Sequence, residues 1–183
     1  MDALENILNR VSARSLKEPH PSKKEMDIVY KAALRAPDHA WLRTSSFIEV
    51  KGESLKKLSN IFVKYGKSVP DISDEVLEKY KNAPYRAPMI IILVNTFKEH
   101  PKVPAIEQKL STATAAQNIM LALNAMKYSC IWRTGKMAFN ELIQKELGLD
   151  NNQEILGYLY IGTESGEKKK IPNLDIDDFV SYL

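Results

Sequence analysis

Two hydrophobic rhythms alternate along the 183 residues of this chain. At the start, Leu4, Ile7, Leu8 and Val11 recur at helical spacing, behind an Asp2/Glu5 pair with the separation of a capping box. Ser22 and Glu25 repeat that signal ahead of Met26, Val29, Tyr30 and Ala33, and Pro37 limits this second helix. Leu55, Leu58, Phe62 and Tyr65 mark a third helix expected to stop at Gly66, and Val76, Leu77 and Tyr80 mark a fourth. Residues from about Pro104 to Met126 predict a long helix rich in Ala, Thr and Ser. Its small residues Ala113, Ala116, Ala122 and Ala125 let another helix, of the same chain or a partner, come close. Phe139, Leu142, Ile143 and Leu147 predict a last helix, closed by Gly148.

Between these helices, Phe47–Val50, Ser129–Trp132 and Glu154–Ile161 read as strands. Met89–Val94 is apolar at every position, the pattern of a central strand buried on both faces. The tail from about Ile171 to Leu183 carries Ile176, Phe179, Val180 and Leu183. It is too apolar for a free end and is expected to pack on something, a second subunit included. No repeat or linker interrupts the pattern, so residues 1–183 are expected to form one mixed α+β domain.

Composition adds little to this picture. An apolar fraction of 44% and a charged fraction of 27% are those of a soluble globular domain. The net charge of +3 admits anionic ligands but lacks the dense basic face of a nucleic-acid binder. The single cysteine, Cys130, excludes an intrachain disulfide and reads as a core filler suited to a reducing compartment. The acidic opening Met1–Glu5 lacks the order of a signal peptide, and no apolar run is long enough to span a bilayer. A cytoplasmic protein with no nucleic-acid and no membrane partner is expected.

Candidate chemistry concentrates in three segments. No glycine fingerprint or phosphate loop is present, and His20, His39 and His100 lack ligand spacing, so no metal site is expected. Directly after the first helix stand Arg10, Ser12 and Arg14. Guanidinium grips phosphate bidentately, and hydroxyls and backbone N–H groups fill the remaining oxygens. The second segment, Arg35 to Ser45, is turned by Pro37 so that Asp38 and His39 lie on an irregular loop. The third, Ile131-Trp132-Arg133-Thr134-Gly135, runs from a strand into a turn. Taken alone, Arg10 and Arg14 read as solvated charges, His39 as a loop histidine, and Trp132 as either core packing or a ligand contact. Trp41 reads as lining a channel or an interface.

Together these segments resemble the nitroreductase family of FMN-dependent flavoproteins, closest to its short, minimal type. The resemblance covers essentially the whole chain. It rests on Asn9-Arg10-x-Ser12-x-Arg14, Arg35-Ala36-Pro37-Asp38-His39, Asn82 to Pro88, Lys102-Val103-Pro104 and Trp132-Arg133-Thr134-Gly135, in that order. It implies a central, mostly antiparallel sheet flanked by helices, in a homodimer with a long central helix and an exchanged C-terminal tail. It also implies tightly bound FMN at the subunit interface. Arg10, Val11 and Ser12 then meet the phosphate and ribityl oxygens, Val11 by its backbone, because its side chain completes the buried stripe of the first helix. Arg14 lies near the flavin pyrimidine edge. Arg35 and His39 reach the cofactor of the opposite subunit, Trp132, Arg133 and Thr134 supply the remaining contacts, and residues near Ala122 to Met126 line the site. The chain departs from the family pattern at Val11, at Thr44-Ser45 and at Lys127-Tyr128-Ser129. The implied activity is hydride transfer from NADH or NADPH to flavin N5, then reduction of a nitroaromatic, quinone or related small-molecule acceptor by a ping-pong mechanism. No side chain is expected to act as acid or base. The alternative is a protein that sequesters or senses FMN with little turnover.

Overall fold

A computed structural model describes residues 2–183. In chain order the elements are α1 (Ala3–Asn9), β1 (Leu16–Lys17), α2 (Lys23–Ala33), β2 (Ser45–Lys51), α3 (Glu53–Lys67), α4 (Asp74–Asn82), β3 (Met89–Thr96), α5 (Ala105–Ala125), β4 (Ser129–Arg133), α6 (Glu141–Glu146) and β5 (Gln153–Glu164). Short 3-10 turns occupy His39–Trp41, Ala83–Arg86 and Ile176–Asp178. The five strands form one sheet in which every pairing is antiparallel, in the order β1-β5-β3-β2 with β4 also on β5. The fold is the expected α+β one.

The apolar run Met89–Val94 is the centre of this sheet, and each of its side chains is at most 1% exposed. Alternation along the strand divides it between two cores. Ile90, Ile92 and Val94 pack with Leu58, Phe62, Ile143 and Tyr158, on the side of α3 and α6. Met89, Ile91 and Leu93 pack with Val29, Ala116, Ile119 and Leu123, on the side of α2 and α5. Burying each such side chain contributes about 1.5–3 kcal/mol. The small residues of α5 do admit a second helix, and it is α2 of the same chain: Met26, Val29 and Ala33 lie against Ala115 and Ala116. The predicted capping box of α2 forms, with Ser22 Oγ accepting from Glu25 N and the Glu25 carboxylate accepting from Ser22 N.

Several expectations are corrected. α1 ends at Asn9, so Val11 lies beyond the helix and completes no buried stripe. Leu4, Ile7 and Leu8 are more than half exposed; the inward residue is Asn6, whose amide donates to Leu121 O at 3.0 Å and whose Oδ1 accepts from Asn124 Nδ2 at 2.8 Å. Asp2 caps the first turn through Ala3 N rather than through a reciprocal box with Glu5. Gly66 does not stop α3, which continues to Lys67. A Cβ there would lie 2.7 Å from Leu77 Cδ1, so the missing side chain serves the approach of α4 instead. The expectation for the tail stands apart from these corrections: Ile176, Phe179 and Tyr182 are 70%, 72% and 88% exposed, as a tail expected to pack on a second subunit would be in a single chain.

Candidate functional site

The bonds of Asn6 hold α1 against the end of α5, and the chain leaves it alongside β4, where Ala13 N donates to Cys130 O at 3.1 Å. Arg10 is therefore brought beside Cys130. Burial pushes the Cys130 thiol up to about 12, against the opposing pull of the Arg10 charge. At neutral pH this cysteine is a protonated core residue, as its sequence context suggested. Arg10 Nη1 is buried and has no hydrogen-bond acceptor. An unanswered buried donor costs roughly 1–3 kcal/mol, more when charged, and calls for an oxygen that the protein does not supply.

Arg14 follows Ala13 to the surface and borders a groove completed by Tyr85 and Arg86 from the Ala83–Arg86 turn and by Arg133 and Tyr160 from the sheet. The Arg133 guanidinium lies 5.6 Å from the Tyr160 ring centroid, and its Nε is likewise buried without an acceptor. Burial raises the Tyr160 hydroxyl above its ordinary range, with the Arg133 and Arg86 charges pulling the other way. Beyond Arg133 the groove continues past Trp132, Thr134 and Gly135. At the β1–β5 pairing, Glu164 opposite Leu16 also keeps a buried oxygen without a donor.

Trp132 is held from below. Its indole N–H donates to Leu156 O at 3.2 Å. Leu156 is the extra residue of a bulge, since Leu93 pairs with Gly157 while Val94 pairs with Ile155. Gly157, at φ 145°, accepts the indole because any Cβ there would lie 2.1 Å from Trp132 Nε1. The core-packing role open for this residue is therefore realised on the indole edge.

The second predicted segment lies elsewhere. Arg35 borders a different groove, with Pro37, Asp38, Trp41 and Arg43. His39 Nδ1 is 2.6 Å from Glu107 Oε2 in the first turn of α5. The loop carries three non-glycine residues at positive φ: Ala40 (56°), Trp41 (53°) and Arg43 (54°). Such backbone persists only when over-determined by its surroundings. Here Ser111 Oγ donates to Pro37 O (2.7 Å), Arg43 N to Asp38 Oδ2 (2.9 Å) and Lys98 Nζ to Leu42 O (2.7 Å). The chain thus brings together the first and third segments but keeps Arg35 and His39 apart from them.

Ion pairing separates the arginines sharply. Arg43 pairs with Asp38, whereas Arg10, Arg14, Arg35, Arg86 and Arg133 have no carboxylate within ion-pair distance among the described residues. Every arginine singled out in the sequence as a ligand is in the free set. Arg86 and Tyr160 were not singled out. The available signals were the bracketing of Arg86 by Pro84 and Pro88 and the two-residue alternation of Tyr158 and Tyr160.

Residues 7–163 match the nitroreductase family. The chain is 33% identical to YdjA of Escherichia coli strain K12, a protein named as a candidate NAD(P)H nitroreductase, over 100% of both chains. Its fold is similar to that of a nitroreductase-like family protein from Bacillus cereus, with a TM-score of 0.85 at 21% identity over 100% of this chain and 96% of that one. It is also similar to the FMN and NADPH-dependent nitroreductase NfnB from Sphigopyxis sp. strain HMH, with a TM-score of 0.78 at 15% identity over 100% and 99%.

Proposed function

The chain belongs to the nitroreductase family, and from that premise we propose that it is an NAD(P)H-dependent flavin oxidoreductase, a cytoplasmic homodimer with FMN at its subunit interface. The observation that carries this reading is the pair of buried, unanswered guanidinium nitrogens, Arg10 Nη1 and Arg133 Nε, on segments that β4 draws together. Their chemistry fits a ligand that is both phosphorylated and rich in oxygen. The name of NfnB supports FMN and NADPH, and that of YdjA supports NAD(P)H.

Bound FMN would supply the redox chemistry between NADH or NADPH and a nitroaromatic, quinone or related acceptor, in a ping-pong sequence. The protein's contribution is placement and charge. Arg10, Ser12 and the Val11 backbone hold phosphate and ribityl oxygens. Arg14 would place a fixed positive charge near the pyrimidine edge of the flavin, where it would stabilise the reduced form. Trp132, Arg133 and Thr134 close one side, and Arg35 and His39 serve the site of the other subunit. That last assignment agrees with their separation from Arg10 and Arg133 within one chain.

A visible spectrum followed by anaerobic addition of NADH or NADPH tests the reading. The purified protein is expected to be yellow and to bleach with at least one nucleotide. A yellow protein that neither nucleotide bleaches is an FMN carrier or sensor, and a colourless one that saturating FMN does not stabilise is neither.

A further inference from the structure

His39, a proposed ligand of the opposite subunit's flavin, is held in place by α5. Ser111 Oγ donates to Pro37 O at 2.7 Å, and Glu107 Oε2 lies 2.6 Å from His39 Nδ1. Glu107 and Ser111 are one turn apart on the same face of α5. Gln108, between them, grips Lys98: its amide donates to Lys98 O at 2.8 Å and accepts from Lys98 N at 2.9 Å. Lys98 Nζ in turn donates to Leu42 O at 2.7 Å. The first turns of α5 thus brace the loop at Pro37, at His39 and, through Lys98, at Leu42. The positive-φ residues Ala40 and Trp41 lie within that braced span.

The contact at Nδ1 does more than anchor the ring. Both side chains are about half exposed, and an ion pair in such a place contributes little stability. Its effect is on the proton. A carboxylate only accepts, so the imidazole hydrogen sits on Nδ1, and in the neutral ring Nε2 keeps its lone pair. We infer that Glu107 is a positioning residue that fixes His39 in its Nδ1–H form, so that His39 meets the opposite subunit's cofactor as a hydrogen-bond acceptor. The groups that suit it are the ribityl hydroxyls and the flavin N3–H. The phosphate, which offers acceptor oxygens, is left to guanidinium donors. The inference rests on the proposed FMN-binding homodimer and adds to it a residue that acts through His39.

Nitrogen-15 NMR of the FMN-loaded protein, with its rings neutral, separates the two tautomers; the His39 signals are those lost in His39→Asn. The wild type is expected to show a protonated Nδ1 and a bare Nε2, and Glu107→Ala a mixture of both forms. Glu107→Ala should also weaken FMN about tenfold, the scale of one lost hydrogen bond, in a fluorescence titration. Glu107→Gln, whose amide oxygen still accepts from Nδ1–H, should keep both the tautomer and nearly all the affinity. A wild-type ring protonated at Nε2 overturns the inference, as does Glu107→Ala with undiminished FMN affinity. So does Glu107→Gln failing as badly as Glu107→Ala. A Glu107→Ala protein that loses FMN only by falling apart into monomers in sedimentation overturns it too, since Glu107 then serves the interface. In each of these cases a yellow wild type that NADH or NADPH bleaches leaves the flavin reductase reading standing. A wild type that takes up no FMN overturns that reading and this inference together.

Discussion

Arg10 shows how a single side chain joins sequence to site. Its place after α1 marked it as an anion ligand, and the structure leaves its Nη1 buried and unanswered beside the inert Cys130 thiol. Arg10→Ala should weaken FMN at least tenfold, about 1.4 kcal/mol, in a fluorescence titration; unchanged affinity removes Arg10 from the phosphate site. Val11, its neighbour, was misread because a helical stripe was extended past Asn9, where the helix has already ended. Arg86 was passed over for the opposite reason. Its bracketing by Pro84 and Pro88 marks a turn but assigns it no ligand; it reaches the groove because β3 and β5 pair and bring that turn up to Tyr160 and Arg133.

At the scale of elements, the strands were legible wherever alternation or continuous burial was unbroken, as in Met89–Val94. Two features broke the rhythm. β1 is only two residues long, and in β5 the bulge at Leu156 shifts the phase just where Gly157 meets Trp132. This bulge links the core to the candidate site, because it places a carbonyl under the indole. Gly157→Ala adds a methyl against Trp132 Nε1 and the Arg133 carbonyl, 2.9 Å away. Overpacking of this kind costs about 1–3 kcal/mol. The variant should melt several degrees lower and bind FMN more weakly, by thermal unfolding and titration; a wild-type melting temperature would show that the strand end yields freely. Gly66 teaches the same lesson on a helix: its role is set by Leu77 on a neighbouring element, which local sequence does not reveal.

The whole molecule leaves much apolar surface uncovered. Leu4, Leu8, Ile106, Leu110 and the tail residues Ile176 and Phe179 are all more than half exposed. The proposed homodimer covers it with a second copy, which also unites the two groups of site residues that one chain keeps apart. Leu110→Glu, on the outer side of α5 beside the Ser111–Pro37 contact, should raise the dimer dissociation constant at least tenfold and release FMN in parallel. Sedimentation followed at the flavin absorbance reads both at once, and a monomer that keeps its flavin would refute the shared site. No helix among the described residues is long and apolar enough to cross a membrane.

By itself the sequence determined the periodic core of this protein and the residue types of its chemistry. Hydrophobic periodicity is a local property that burial enforces, and the donors an arginine and a hydroxyl offer to phosphate are fixed by their residue types. Tertiary structure alone decided which of those residues meet. It joined Arg14 to Arg86 and Arg133, set Arg35 and His39 apart, and turned Leu4, Ile7 and Leu8 outward. The physical reason is that strand pairing, bulges and glycine contacts connect residues many positions apart, and no local pattern encodes such distances.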